Sequence, residues 1–237
     1  MNDREDKGRK PIAAAIFDLD GTLVDSEENH YESDRLLMLR RGIRFTKEAK
    51  AAYVGKDIHE MVRGVVQDYG LTEDPAALVR EKSALYRELA LRSTRMYPPI
   101  RPLLEGLAKR GIPMAIATGS DASIGGAILE SLGVRRHFSL IVSSVEVGRG
   151  KPAPDIFLEA ARRLNVAPEE CIVFEDTAWG VEAALRAGME CVALPAPGAD
   201  LPADLAQHVG YLVPGGPDAL DPEDFFRWFD APRVSTR

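Results

Sequence analysis

With 237 residues, 45% of them hydrophobic, the chain is long enough for one large domain or for a core that carries a smaller inserted one. A formal charge of −7 argues against nucleic acid or an anionic membrane as the main partner, because both favour basic surfaces, so an acidic substrate must meet a local positive site. No apolar run approaches the roughly 20 residues that span a bilayer, and the charged N-terminus MNDREDKGRK carries no apolar signal segment. Cys171 and Cys191 both lie in apolar stretches and are expected to be buried free thiols, which points to the cytoplasm.

Residues 1–10 read as a polar leader and residues 12–18 as the first buried strand. That strand runs into Asp18-Leu19-Asp20-Gly21-Thr22. Side chains alternate along a strand, so Asp18 and Asp20 leave on one side while Leu19 returns to the core. Two carboxylates then meet at the C-terminal end of a strand, the edge at which open α/β sheets bind ligands. An Asp with a reference pKa of about 3.9 is ionised near neutral pH and can attack phosphorus without a general base. Asp18 is therefore the candidate nucleophile, although a lone Asp-x-Asp-Gly is also an ordinary turn.

From residue 26 to 97 the pattern is helical throughout, with no strand expected. One helix is predicted over 27–41, stopping at Gly42; a second opens at Asp57 with Glu60 three residues on; a third opens at Asp74-Pro75 and continues to about residue 92. After Pro98-Pro99 helices and strands alternate in the manner of a parallel sheet with crossovers. Helices are expected over 101–110, 122–132, 154–164 and 178–187, and strands over 114–117, 140–142, 171–174 and 191–194. Residues 210–213 could add an edge strand, and the extension 214–237 a short helix near Phe225, Phe226 and Trp228. The expected architecture is an α/β doubly wound parallel sheet, Rossmann-like, formed by 11–25 and 98–213, with an inserted all-α cap over 26–97.

Three further signals follow apolar runs. Thr118 precedes Gly119, Ser120 and Asp121 at a strand-to-helix junction, where a hydroxyl and backbone N–H groups can hold a phosphoryl oxygen; an ordinary helix cap from Ser120 or Asp121 fits as well. Lys151, in Gly148-Arg149-Gly150-Lys151-Pro152, can supply the cation that a carboxylate-rich site needs to bind a dianion. This is not a Walker A loop, because the glycine spacing differs and no Ser or Thr follows the lysine. Glu175 and Asp176, added to Asp18 and Asp20, make the oxygen-rich set that Mg²⁺ prefers.

In their order, DLDGTLVDS at 18–26, ATGS at 117–120, GKPAPDIF at 150–157 and FEDTAWGVEAALRAGM at 174–189 make the chain resemble the haloacid dehalogenase-like phosphotransferases along nearly its whole length. The resemblance implies that Thr118 binds the transferring phosphoryl group and that Asp176 binds Mg²⁺ directly. It also implies that Glu175 binds the metal directly or through water, and that Asp18 gives a side-chain oxygen and Asp20 a backbone carbonyl. Asp20 would act as acid and base. Gly119 and Ser120 are candidate substrate contacts, as are His30, Lys82, Tyr86 and the Gly55-Lys56 pair in the cap. His30 and Lys82 resemble cap residues that β-phosphoglucomutase-like enzymes turn toward substrate, whereas the Gly55-Lys56 loop departs from the mutase pattern. The expected function is a Mg²⁺-dependent phosphatase of a small phosphorylated metabolite, with a sugar phosphate as the expected substrate, acting through an aspartyl phosphate as a monomer or weak homodimer. An isomerase of the β-phosphoglucomutase type is the first alternative. A non-enzymatic phospho-acceptor signalling domain is a remote one, disfavoured by Asp20 and the helical insertion.

Overall fold

Residues Ala14–Phe17 form β1, and all four are fully buried. A strand with no polar face has to be covered on both sides, which is the situation of a parallel sheet between two helical layers. The computed structural model describes residues 11–53, 58–199 and 201–232. In chain order β1 is followed by β2 (Val24–Asp25), α1 (Glu27–Leu39), α2 (Lys47–Ala51), α3 (Ile58–Tyr69), α4 (Pro75–Ser93), β3 (Arg95–Met96) and α5 (Ile100–Lys109). Then come β4 (Met114–Thr118), α6 (Ala122–Ser131), β5 (Phe138–Ser143), α7 (Asp155–Leu164), β6 (Cys171–Glu175) and α8 (Ala178–Arg186). The chain continues through β7 (Glu190–Ala193), α9 (Ala203–Ala206), β8 (Tyr211–Leu212) and α10 (Pro222–Asp230).

Six strands pair in the order β5-β4-β1-β6-β7-β8, all parallel. The chain builds outward from β1 to β4 and β5, then crosses back to β6, so the order reverses beside β1 and opens a crevice at the C-terminal strand ends. Alternation along β1 sends Ala15 and Phe17 into one core and Ala14 and Ile16 into the other. The first core is closed by Leu103, Leu104 and Leu107 of α5, Ile124 and Ile128 of α6, and Phe225 of α10; the second by Ile156 and Phe157 of α7 and Val181 and Ala184 of α8. Phe17 stacks on Phe174 with ring centroids 4.3 Å apart. Helices α1, α3 and α4 share a separate apolar cluster around Leu37, Met38, Met61, Val62, Val65 and Leu78. The doubly wound core with an inserted helical cap is as expected.

Several details differ. The region 26–97 is not wholly helical, because Arg95–Met96 pairs antiparallel with Val24–Asp25 where the chain enters and leaves the cap. Two residues are too few to show a period, so the pairing is fixed by the meeting of the two linkers, with Tyr97 N–H donating to Leu23 C=O at 3.2 Å. Helix α2 was not expected either; it is five residues long and starts at Thr46, whose hydroxyl accepts from Ala49 N–H. The helix expected from Asp57 is observed from Ile58, and Asp57, Gly55 and Lys56 lie outside the described residues, as do residues 1–10. Strand β1 is shorter than the predicted 12–18. Among the described residues no helix is long and apolar enough to cross a membrane. Cys171 and Cys191 are buried and free.

The extension beyond residue 213 closes the first core rather than trailing from it. Phe225 is fully buried, with rings of Phe174, Tyr211, Phe226, Trp228 and Phe229 within 5.2–5.7 Å of its own. Asp221 caps α10 by accepting from Glu223 and Asp224 N–H. Phe225→Ala should therefore destabilise the protein by about 3–5 kcal/mol, measured by urea unfolding; a loss below about 1 kcal/mol would show that α10 is not part of the core.

Candidate active site

The register of the sheet sets the site. Phe17 pairs with Phe174, so Asp18 and Glu175 leave their strands at one level, and Thr118 ends the neighbouring β4. Lys151 arrives on the loop between β5 and α7. Its Nζ donates to Asp18 Oδ1 at 2.5 Å and to Glu175 Oε1 at 2.6 Å, and lies 5.0 Å from the centre of the Phe157 ring. Burial alone would discharge the lysine, but Asp18 and Glu175 more than offset it and hold the ammonium above its ordinary range.

Asp18 itself differs from expectation. Burial and the neighbouring Glu175 outweigh the pull of Lys151, and its carboxyl is pushed up to about 7. The reference value of about 3.9 describes a solvated carboxyl, and burial beside Glu175 works against the charged form here.

Glu175, which the resemblance places at the metal directly or through water, has both oxygens hydrogen-bonded within the protein: Oε1 by Lys151, and Oε2 by Thr177 N–H at 2.8 Å and Thr177 hydroxyl at 3.0 Å. Gly180 makes room for this carboxylate, since a Cβ there would fall 1.7 Å from Glu175 Oε1. Asp176 accepts from Thr22 hydroxyl at 2.9 Å and is pushed well above the usual carboxylate range by burial and by Glu175 and Asp18. Gly21 is required here twice over: its φ is +85°, and a Cβ would stand 2.3 Å from Asp176 Oδ2. Among the described residues, Asp18, Glu175 and Asp176 thus face a single ammonium.

Asp20 has different surroundings. Its Oδ1 accepts from Ser26 hydroxyl at 2.6 Å and Tyr86 hydroxyl at 2.7 Å, with His30 Nε2 at 3.3 Å, and its Oδ2 accepts from Ser120 hydroxyl at 2.7 Å. Burial alone would raise its pKa, but His30, Ser26 and Ser120 outweigh it and hold Asp20 well below the usual carboxylate range. His30 stacks on Tyr86 at 4.0 Å, 11° from parallel. Of these donors, Ser26 carries no sequence signal of its own.

Thr118 is fully buried, and its hydroxyl accepts from Ser120 N–H at 3.0 Å. Ser143 and Ser144 donate to the carbonyls of Ser120 and Gly119, at 2.7 and 3.1 Å, and brace this turn. Asp121 caps α6, so its N–H groups at Ser123 and Ile124 are already satisfied and the turn 118–120 is what remains for an anion. Lys82 is not brought to Asp20: it is buried against Asp34, one turn along α4 from Tyr86. Lys56 lies outside the described residues.

The sequence pattern of the haloacid dehalogenase-like hydrolases matches residues 12–188. The chain is 36% identical over 180 residues to a fructose-1-phosphate phosphatase of Escherichia coli, covering 76% of this chain and 95% of the relative. It is 33% identical over 192 residues to a phosphorylated carbohydrates phosphatase of Thermotoga maritima, covering 76% and 83%. In structure it is similar to a β-phosphoglucomutase from Clostridium difficile, with a TM-score of 0.76 at 25% identity over 92% of this chain and 97% of the other. The chain belongs to the haloacid dehalogenase-like hydrolase family, as a phosphoric monoester hydrolase.

Proposed function

We propose that this chain is a Mg²⁺-dependent phosphatase of sugar monophosphates that works through an aspartyl phosphate on Asp18. The observation that carries the reading is the Lys151 ammonium shared between Asp18 and Glu175, two residues from an Asp20 that is ringed by proton donors. Asp18 attacks phosphorus, while Thr118, the braced turn at Gly119 and Ser120, and Lys151 receive the phosphoryl oxygens. In this geometry Asp20 is ionised and set to take a proton from water. To protonate the leaving alcohol it must first exchange some of its four donors for a proton, and His30, Tyr86 and Ser26 on the cap side are the ones that a cap movement would remove.

Among the described residues no group of three or more His, Cys, Asp or Glu side chains is gathered to hold a metal. The set that the family resemblance implies is the carboxylates of Asp18 and Asp176 and the backbone carbonyl of Asp20, with Glu175 reaching the ion directly or through water. Buried carboxylates in excess of the one ammonium among the described residues fit that set: Asp176 is driven toward its neutral form by burial and by Glu175 and Asp18, and a divalent cation would relieve the charge repulsion. When bound, Mg²⁺ would neutralise phosphate charge and align the attack. Glu175 also supports Lys151.

The family's isomerases share the fold, but the Escherichia coli and Thermotoga maritima relatives, at 36% and 33% identity, are phosphatases, which favours water as the acceptor. Release of phosphate from a panel of sugar phosphates, fructose 1-phosphate included, tests the reading. In the same assay β-glucose 1-phosphate with a catalytic amount of its bisphosphate should yield free phosphate; faster accumulation of glucose 6-phosphate would make the chain an isomerase. Asp18→Asn should abolish release in a folded protein, and Asp20→Asn should lower kcat by about 10²–10⁴. Near-normal rates from either variant would remove that residue from its role. A chelator should abolish activity and lower Tm, with both restored by Mg²⁺ and only Tm restored in Asp18→Asn if Asp176 retains the ion. Turnover unaffected by the chelator would rule the metal out.

A further inference from the structure

On α1, Asp34 follows His30 by one helical turn; on α4, Lys82 precedes Tyr86 by one turn. The two helices run side by side, so the His30–Tyr86 stack that touches Asp20 is succeeded, about 5.4 Å further into the cap, by the Asp34–Lys82 pair. A second cation joins from α2: Lys50 Nζ donates to Asp34 Oδ2 at 2.6 Å. Asp34 is 0% exposed and Lys82 5%, while the Lys50 side chain keeps a 13% exposed edge. Beyond them the seam becomes apolar at Met38 and Leu78.

We infer that Asp34 determines substrate charge selectivity: by engaging both Lys82 and Lys50 it withholds two ammoniums from the distal end of the substrate, and so favours sugar monophosphates over bisphosphates. The inference rests on the proposed phosphatase reading and concerns the part of the substrate that does not react. A phosphoryl group at Asp18 leaves the rest of the molecule to extend past Asp20 toward this seam. There a second phosphate would find two lysines whose hydrogen bonds Asp34 already holds and whose charge it has reduced to one net positive. Hydroxyl groups do not depend on that charge. Without the carboxylate the two lysines would lose their anion, and the second phosphate of a bisphosphate would supply one. Asp34 is a positioning residue, because it acts through the lysines and has no exposed surface with which to touch substrate.

The readout is the ratio of kcat/KM for fructose 1-phosphate to that for fructose 1,6-bisphosphate. Wild type should favour the monophosphate. Asp34→Asn should lower the ratio at least tenfold, mainly through a smaller KM for the bisphosphate, and Asp34→Glu should restore much of it. Lys50→Met leaves a neutral Asp34–Lys82 pair and should move the ratio the opposite way. If Asp34 only clamps the three helices together, its loss changes both substrates alike, and an unmoved ratio in folded Asp34→Asn overturns the inference. Should that variant fail to fold, an unmoved or falling ratio in Lys50→Met does so instead. Calorimetric binding of the two sugar phosphates on an Asp18→Asn background gives the same selectivity without turnover. Absence of hydrolysis would therefore count against the phosphatase reading, whereas equal discrimination with and without Asp34 would count against the role of Asp34.

Discussion

One ammonium shared by two buried carboxylates organises this molecule. Lys151 lies between Asp18 and Glu175 with a third carboxylate, Asp176, beside them, and the charges are out of balance in a place where burial penalises imbalance. Removing one partner from a buried pair is generally strongly destabilising, by about 3–5 kcal/mol, because a charge is left unanswered. That constraint explains features that are otherwise arbitrary. Gly180 has no side chain because Glu175 occupies the space, Thr177 turns its N–H and hydroxyl onto the same carboxylate, and Gly21 lets the chain pass within reach of Asp176. An excess of oxygen ligands over cations at rest is also what a site for Mg²⁺ and a phosphate dianion needs, since incoming charges of both signs then complete the balance.

The sheet makes this arrangement possible by register rather than by proximity in sequence. Asp18 and Glu175 are far apart in the chain, and they meet because Phe17 pairs with Phe174 and the two rings stack. A slip of one residue in that pairing would turn one carboxylate into the opposite core. Two separate apolar clusters, one on each face of β1, hold the register from both sides. Stability and the site are therefore joined at the same strand pair: the phenylalanines that bury area are the residues immediately before the two carboxylates that Lys151 bridges.

What the sequence made legible follows from this. Strand ends carrying Asp-x-Asp, a hydroxyl and a carboxylate pair could be read because each stands directly after an apolar run whose period fixes its direction, whereas Lys151, on a glycine-rich loop, was legible only through the motif around it. The charges that these residues adopt could not be read, because they depend on neighbours brought from other strands: Asp18 is raised toward neutrality while Asp20, two residues away, is held strongly acidic. The β2–β3 pair escaped because two residues show no period. The cap was least legible. Asp34 sits in a helix full of charged residues, where nothing in the spacing distinguishes a buried carboxylate from a solvated one, and its burial becomes visible only when Lys82 and Lys50 arrive from two other helices. Ser26 reads as an ordinary helix start, yet its hydroxyl goes to Asp20 and makes no side-chain cap.

Asp20 is where the two parts of the molecule are tied. Its oxygens are taken by Ser26, His30 and Tyr86, which belong to the linker and the cap, and by Ser120, which belongs to the core. The chain enters and leaves the cap through the short β2–β3 pair a few residues away, so a tilt of the cap about that pair has to strain one set of these bonds or the other. The residues that donate to the carboxylate are also the ones that bury it, so His30 and Tyr86 act on Asp20 in both senses: burial opposes its charge, and their hydrogen bonds and ion pairing, with those of Ser26 and Ser120, more than offset that. The protonation of Asp20 is therefore set jointly by cap and core. On the proposed mechanism, in which this side chain would give a proton in one step and take one in the next, both steps would depend on how the cap meets the core.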